Sequence, residues 1–324
     1  MTDAICLGEL LVDFVPTETG KDLVEASTFR KAAGGAPANV AVGLKRLGIA
    51  SGFMGMVGVD PFGRFLAHTL ESHGVDISTL RHTREAPTAL AFVSLRADGE
   101  RDFVFFGNPS ADKLLSPSDI DLSAIARAKL LHFGSISLSR EPARTATLYA
   151  ADAAQEAGAM ISYDPNLRLS FWADADAARE GLRAGLAKAD VVKISEDELI
   201  FLTGASDPAQ ARDFLWTERM KLMVVTSGSA GSVYITNDFM GKVPGFKVKA
   251  VDATGAGDAF TAGLLAGLLK QRQAIRTESM LKEVCRFANA VGALTTTARG
   301  AIPSLPTRQQ VEDFLEKGST AQNP

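Results

Sequence analysis

The run Asp252-Ala253-Thr254-Gly255-Ala256-Gly257-Asp258-Ala259-Phe260 sets a carboxylate against two glycines. It lies where a strand-like stretch, Phe246 to Val251, gives way to a helix-compatible segment opening at Asp258. Small residues at a helix entrance leave backbone N–H groups unpaired and facing outward, and with the helix dipole these form an anion site. A carboxylate beside an anion site is self-defeating unless it takes a proton from a hydroxyl that attacks a phosphate. The combination points to phosphoryl transfer. An ordinary first-turn carboxylate, favoured by the dipole by about 0.3–1 kcal/mol, would explain Asp258 alone. It would not explain Gly255 and Gly257, which close approach of a phosphate requires.

A second cluster is Gly34-Gly35-Ala36-Pro37-Ala38-Asn39. Paired glycines let a ligand reach the backbone, and Asn39, one turn into the next helix, can both donate and accept. The plainer alternative is a strand-to-helix turn with Asn39 capping or exposed. Asp13, an acid in an apolar strand, is either a solvated edge residue or a grip on hydroxyls. Absences narrow the chemistry: no Gly-x-x-x-x-Gly-Lys-Ser/Thr loop, no Gly-x-Gly-x-x-Gly opening the first helix, and no His-Arg-Asp or Asp-Phe-Gly of a protein kinase.

The elements that must position these residues alternate. Strands are expected at Ile5–Gly8, Gly52–Val57, Leu130–Phe133, Met160–Asp164, Val191–Ile194 and Met223–Thr226. Helices are expected at Pro37–Leu47, Gly63–Ser72, Pro142–Glu156, Ala175–Ala187, Glu196–Leu202 and Pro208–Arg219. That order predicts an α/β fold with a mostly parallel sheet between helical layers. Leu11–Val15, Val24–Phe29, Thr88–Leu95 and Asp102–Phe106 break the rhythm, and Ala97-Asp98-Gly99-Glu100 reads as a hairpin turn. They predict a small antiparallel sheet forming a lid. The expected division is 1–10, 34–86 and 112–316 for the core, 11–33 and 87–111 for the lid, and 317–324 for a polar, frayed tail.

With 46% apolar and 22% charged residues and a net charge of −4 without basic blocks, the 324-residue chain reads as globular, with no nucleic-acid or membrane surface. Cys6 and Cys285 stand in unrelated contexts, which indicates neither a disulfide framework nor a zinc site. The absence of a basic, signal-like start suggests a cytoplasmic protein.

Together the two glycine clusters carry a resemblance. Gly34 to Asn39 with Ala41, Gly48 and Gly58, followed by Asp252 to Asp258 with Gly263, resembles the paired signatures of the ribokinase-like (PfkB) carbohydrate kinase family, closest in appearance to its fructokinases. The likeness runs from Gly8-Glu9 to Gly300-Ala301-Ile302-Pro303-Ser304-Leu305-Pro306. Ala253 departs slightly from the usual Thr or Pro. The resemblance implies a three-layer αβα sandwich with a small β lid. It implies Asp258 as catalytic base, with the amides of Gly255, Ala256 and Gly257 holding the transferring phosphoryl. It implies Asp13, Gly34, Gly35 and Asn39 on the sugar hydroxyls, and Ser195, Thr226, Gly228, Gly231 and Asn289 on ATP. Glu198 matches the family's magnesium-organising glutamate, acting through water, while Ser195 stands where that motif has Asn. Asp252, the Thr254 carbonyl, Gly300 and Ser304 match a loop pair for a monovalent cation, K⁺.

Segments 99–112 and 164–168 are similar to fructokinases, which adds Phe103, Phe105 and Arg168 as substrate-binding candidates. The plain alternatives are lid core for the two phenylalanines and a surface arginine after a turn. The lid run Phe105-Phe106-Gly107 offers neither a phenol nor a cation for a sugar acid, which favours a neutral ketohexose. The expected activity is transfer of the γ-phosphoryl of ATP to the 6-hydroxyl of D-fructose by a homodimer. The alternatives are a 2-keto-3-deoxygluconate kinase, a riboside kinase, or a catalytically silent sugar-binding regulator on the same scaffold.

Overall fold

A computed structural model describes residues 2–18, 21–95, 101–271 and 273–320. The side chains of 94, 95, 101–103 and 318–320 lie outside that description, as does the turn expected at Ala97–Glu100. In chain order the strands are β1 (Ala4–Leu7), β2 (Leu11–Pro16), β3 (Phe29–Gly34), β4 (Ser51–Gly58), β5 (Leu80–Thr83), β6 (Leu90–Leu95), β7 (Arg101–Phe106), β8 (Leu130–Gly134), β9 (Met160–Asp164), β10 (Val191–Ser195), β11 (Leu222–Thr226), β12 (Ser232–Ile235) and β13 (Met240–Val243). The helices are α1 (Ala36–Arg46), α2 (Pro61–Ser72), α3 (Leu122–Arg127), α4 (Ala143–Glu156), α5 (Ala175–Leu186), α6 (Glu196–Thr203), α7 (Pro208–Leu215), α8 (Ala256–Lys270), α9 (Glu278–Thr295) and α10 (Arg308–Thr320).

Nine strands form the main sheet in the order β13-β12-β11-β10-β9-β8-β1-β4-β5, parallel except at β11–β12 and β12–β13. Strand alternation sorts side chains into two apolar layers. Ala4, Cys6, Val191, Leu222 and Val224 pack with α1, α2, α8 and α9. Ile5, Leu7, Val192, Ile194, Met223 and Val225 pack with α4, α5, α6 and α7 on the other side. The chain runs outward in opposite directions from β1 and β8, so the loops at the carboxyl ends of the strands splay apart there. Such a crevice is where open α/β sheets bind ligands.

The second, smaller sheet has the order β3-β2-β6-β7. Its outer pairs are antiparallel, but β2 and β6 run parallel. The chain returns through α1, β4, α2 and β5 before β6, so it re-enters this sheet in the direction of β2. Three local expectations give way. The small sheet's second strand is Phe29–Gly34 rather than Val24–Phe29, because register with β2 rather than strand propensity selects it. Phe246–Val251 is not a strand; it crosses the mouth of a cavity. Residues 317–320 continue α10. Cys6 and Cys285 are buried free thiols, and no helix among the described residues is long and apolar enough to cross a membrane.

Candidate active site

Helix α8 begins at Ala256, with Gly255 as its N-cap at φ 77°. A Cβ on Gly255 would stand 2.7 Å from that of Ala301, so both conformation and space demand glycine there. Asp258 is the third residue of the helix. Its side chain is 7% exposed and accepts from Asn39 Nδ2 at 2.7 Å and from Asn166 Nδ2 at 3.3 Å. Because a carboxylate can only accept, the Asn39 amide is oriented by this bond, and its Oδ1 is left buried without a partner. A sugar hydroxyl would satisfy it. The Ala256 N–H donates to the Ala253 carbonyl at 3.2 Å and closes the turn. Gly255, Gly257 and Asp258 line a cavity of about 540 Å³ together with Asn166, Arg168 and Lys193.

Burial raises the Asp258 pKa to about 6; the Asn39 hydrogen bond opposes it, the charge of Asp164 adds to it, and Lys193 and Arg168 oppose it. A base must be ionised to act. The kcat/KM for sugar is therefore expected to fall about tenfold per pH unit below pH 6. Asn39→Leu removes a hydrogen bond that favours the carboxylate, so it should move that acid limb to higher pH and raise KM for the sugar. An unchanged limb in the variant would detach Asn39 from the base.

Asp13 lies against Gly34, where a Cβ would meet its Oδ2 at 2.3 Å. Gly35, at φ 109°, sits against the Glu9 carbonyl and cannot cap α1 with a side chain. Glu9 does so instead, its Oε1 accepting from the Ala36 N–H at 2.9 Å. Burial pushes Glu9 up to about 7. Phe105 packs against Phe171 of the core at 4.3 Å between ring centroids, joining the small sheet to the core. The Phe103 side chain lies outside the described residues.

Thr226, Gly228, Gly231 and Asn289 converge on a cavity of about 460 Å³, walled by Phe246, Val248, Phe260 and Ala293. Gly257 lines both this cavity and the Asp258 cavity, so the two meet at the start of α8. Asn289 is tied to the Val243 and Pro244 carbonyls at 3.2 and 3.3 Å, which holds that wall. Ser195 is not among these residues. It caps α6, its Oγ accepting from Glu198 N, while Glu198 Oε2 accepts from Ser195 N. Glu198 Oε1 also accepts from Leu167 N at 2.7 Å. Ser195, Asp197, Glu198, Arg168 and Lys193 line a further cavity of about 580 Å³.

Two cation sites expected from the sequence can be tested for fit. Glu198, Asp197 and Ser195 offer only oxygens, and no cluster of three His, Cys, Asp or Glu exists among the described residues. That suits magnesium, which takes one or two carboxylates, waters and substrate phosphates. At the other loops Asp252 Oδ1 accepts from Thr254 N, its Oδ2 from Gly300 N, and Ser304 Oγ donates to the Gly300 and Ala301 carbonyls. This gathers the expected oxygens beside the α8 entrance.

Sequence reasoning missed Asn166, Glu9 and Lys193. Asn166 alone among the described non-glycine residues has positive φ, 42°, a conformation asparagine tolerates. Lys193 could have been found as a charge inside the apolar run Val191-Val192-Lys193-Ile194.

The family profile described as pfkB family carbohydrate kinase matches residues 1–308. A probable fructokinase-7 from Arabidopsis thaliana is 51% identical over 97% of this chain and 92% of its own length. A crystal structure of fructokinase with bound ATP from Xylella fastidiosa superposes with a TM-score of 0.90 at 35% identity, covering 98% of this chain and all of that one. A fructokinase double mutant from Vibrio cholerae, bound to fructose, ADP and potassium ion, gives 0.88 at 37% identity, covering 97% and 98%. This chain belongs to the pfkB family of carbohydrate kinases.

Proposed function

We propose that this protein is an ATP-dependent fructokinase that phosphorylates the 6-hydroxyl of D-fructose. The observation that carries the reading is Asp258, buried and held by Asn39 and Asn166 where two cavities meet at a helix N-terminus. Relatives at about half identity over nearly full length are named fructokinases, and the Vibrio cholerae protein holds fructose and ADP. A silent binder would have no use for a base whose burial costs stability.

In this reading Asp13, Gly34, Gly35 and the unpaired Asn39 oxygen hold the sugar hydroxyls. Asp258 takes the proton of the 6-hydroxyl as its oxygen bonds to the γ-phosphorus, and the bond from that phosphorus to the β–γ bridging oxygen breaks to release ADP. The amides at the start of α8 receive the charge on the transferring phosphoryl. Magnesium, when bound with ATP, neutralises phosphate charge; Glu198 would hold it through water beside Asp197 and Ser195. Potassium at Asp252, Thr254, Gly300 and Ser304 would strengthen the field of the α8 entrance. The lid closes over the sugar with Phe105 at its hinge side, and its outer face (Phe14, Phe92, Val104, Phe106) pairs two copies in the cytoplasm.

ADP formation from Mg-ATP with fructose, tagatose, ribose, 2-keto-3-deoxygluconate and nucleosides tests the reading. Fructose is expected to give the highest kcat/KM. Preference for a riboside or for the sugar acid would replace it.

A further inference from the structure

Lys193 lies in the interior strand β10, and the residues two before and one after it, Val191 and Ile194, are fully buried apolar side chains. Strand alternation puts it on the face that packs against α8, where β11 presents Leu222 and Val224. Its side chain is 8% exposed. Nζ stands 3.2 and 3.3 Å from the two oxygens of Asp164, which also accepts from Thr261 Oγ1 at 2.9 Å. A Cβ on Gly257 would stand 3.3 Å from the same Nζ. Lys193 also lines both the Asp258 cavity and the Glu198 cavity.

Stability does not explain this placement. A buried ion pair rarely improves on apolar packing, and a cation beside a helix N-terminus opposes the dipole. Nζ has three donors, and among the described residues they meet one carboxylate. Burial alone would lower the pKa of the ammonium. The charges of Asp164, Glu198 and Asp258 outweigh it and raise the pKa, which keeps the group charged at neutral pH. What relieves the conflict between ammonium and helix end is a dianion held between them.

We propose that Lys193 is a catalytic residue whose ammonium binds the phosphoryl group during transfer, opposite the Gly257 amide, with Asp164 and Thr261 fixing its position. Arg168, on the wall of the same two cavities, is exposed, whereas Lys193 is buried. A side chain at residue 257 would press on Nζ, which would have to give by a few tenths of an ångström.

The inference rests on the kinase reading, and one experiment separates the two. Turnover with fructose and Mg-ATP, and ADP affinity with fructose in the presence and absence of aluminium fluoride, are measured for wild type, Lys193→Met and Asp164→Asn/Lys193→Met. The double variant removes the orphaned carboxylate charge, so it keeps the test valid where the single variant folds poorly. Expected are a loss in kcat of about 10²–10³-fold in both variants, unchanged affinity for ADP alone, and loss of the tightening that aluminium fluoride gives wild type. Recovery of turnover in the double variant would reduce Lys193 to a counter-ion for Asp164 and overturn the inference. Retained tightening by aluminium fluoride in a folded variant would do the same. A wild-type protein inert toward fructose would sink the kinase reading first, and this inference with it.

Discussion

Asp258→Asn is expected to lower kcat by about 10²–10⁴-fold while ATP affinity stays near that of wild type. The amide keeps the shape and can still accept from Asn39, but it cannot take the hydroxyl proton. A second effect has the opposite sign. In the unfolded chain the carboxyl titrates near 3.8, and in the folded protein near 6. Folding therefore carries no penalty from this group below about pH 3.8. The penalty grows between the two values and reaches about 3 kcal/mol above pH 6. The variant should accordingly be more stable than wild type at pH 8, with the gain vanishing toward pH 4. Steady-state kinetics and thermal unfolding at several pH values check both halves. A variant both active and no more stable would show that Asp258 is neither the base nor a buried charge.

Gly255→Ala is expected to damage stability and turnover together. At φ 77° a side chain costs about 1–2 kcal/mol, and the new methyl would meet Ala301 at 2.7 Å, an overpacking worth about 1–3 kcal/mol more. Relief of that contact has to move the first turn of α8, and the loss of one well-placed donor costs about 10²–10³-fold in comparable anion sites. Adding Ala301→Gly removes the 2.7 Å contact but leaves the Cα of residue 301 at 3.0 Å and the backbone strain. The double variant should therefore regain part of the stability and part of the turnover. Wild-type kcat in the single variant would mean that the α8 entrance does not hold the phosphoryl.

Much of this was legible before any coordinates. The order of strands and helices follows from apolar runs of fixed length punctuated by Gly and Pro, and β1, β4, β8, β9, β10 and β11 obey it, whereas the edge strand β5 is not announced by such a run. The two glycine clusters announce themselves because their residue types suit no packed element, and Asn39 and Asp258, 219 residues apart, do meet. What the sequence hides is set by pairing. The hairpin of β12 and β13 has strands of four residues each that pair onto the edge of β11. Phe29–Gly34 is a strand because β2 lies beside it. Phe246–Val251 reads as a strand by composition, yet no neighbouring strand pairs with it, and its residues wall the cavity of about 460 Å³ instead.

The roles of single polar residues are hidden for the same reason. Ser195 and Glu198 stand in motif positions, and the structure shows them first as a reciprocal helix cap that also anchors the Leu167 amide. Lys193 passes unnoticed in a strand until β9 and α8 bring Asp164 and Gly257 against it.

The most direct test of the central claim is phosphorus and carbon NMR of the product formed from D-fructose and Mg-ATP. Fructose 6-phosphate and ADP in equal amounts are the predicted outcome, with formation suppressed in Asp258→Asn. A phosphate on another hydroxyl, or ATP left intact beside the sugar, would contradict it.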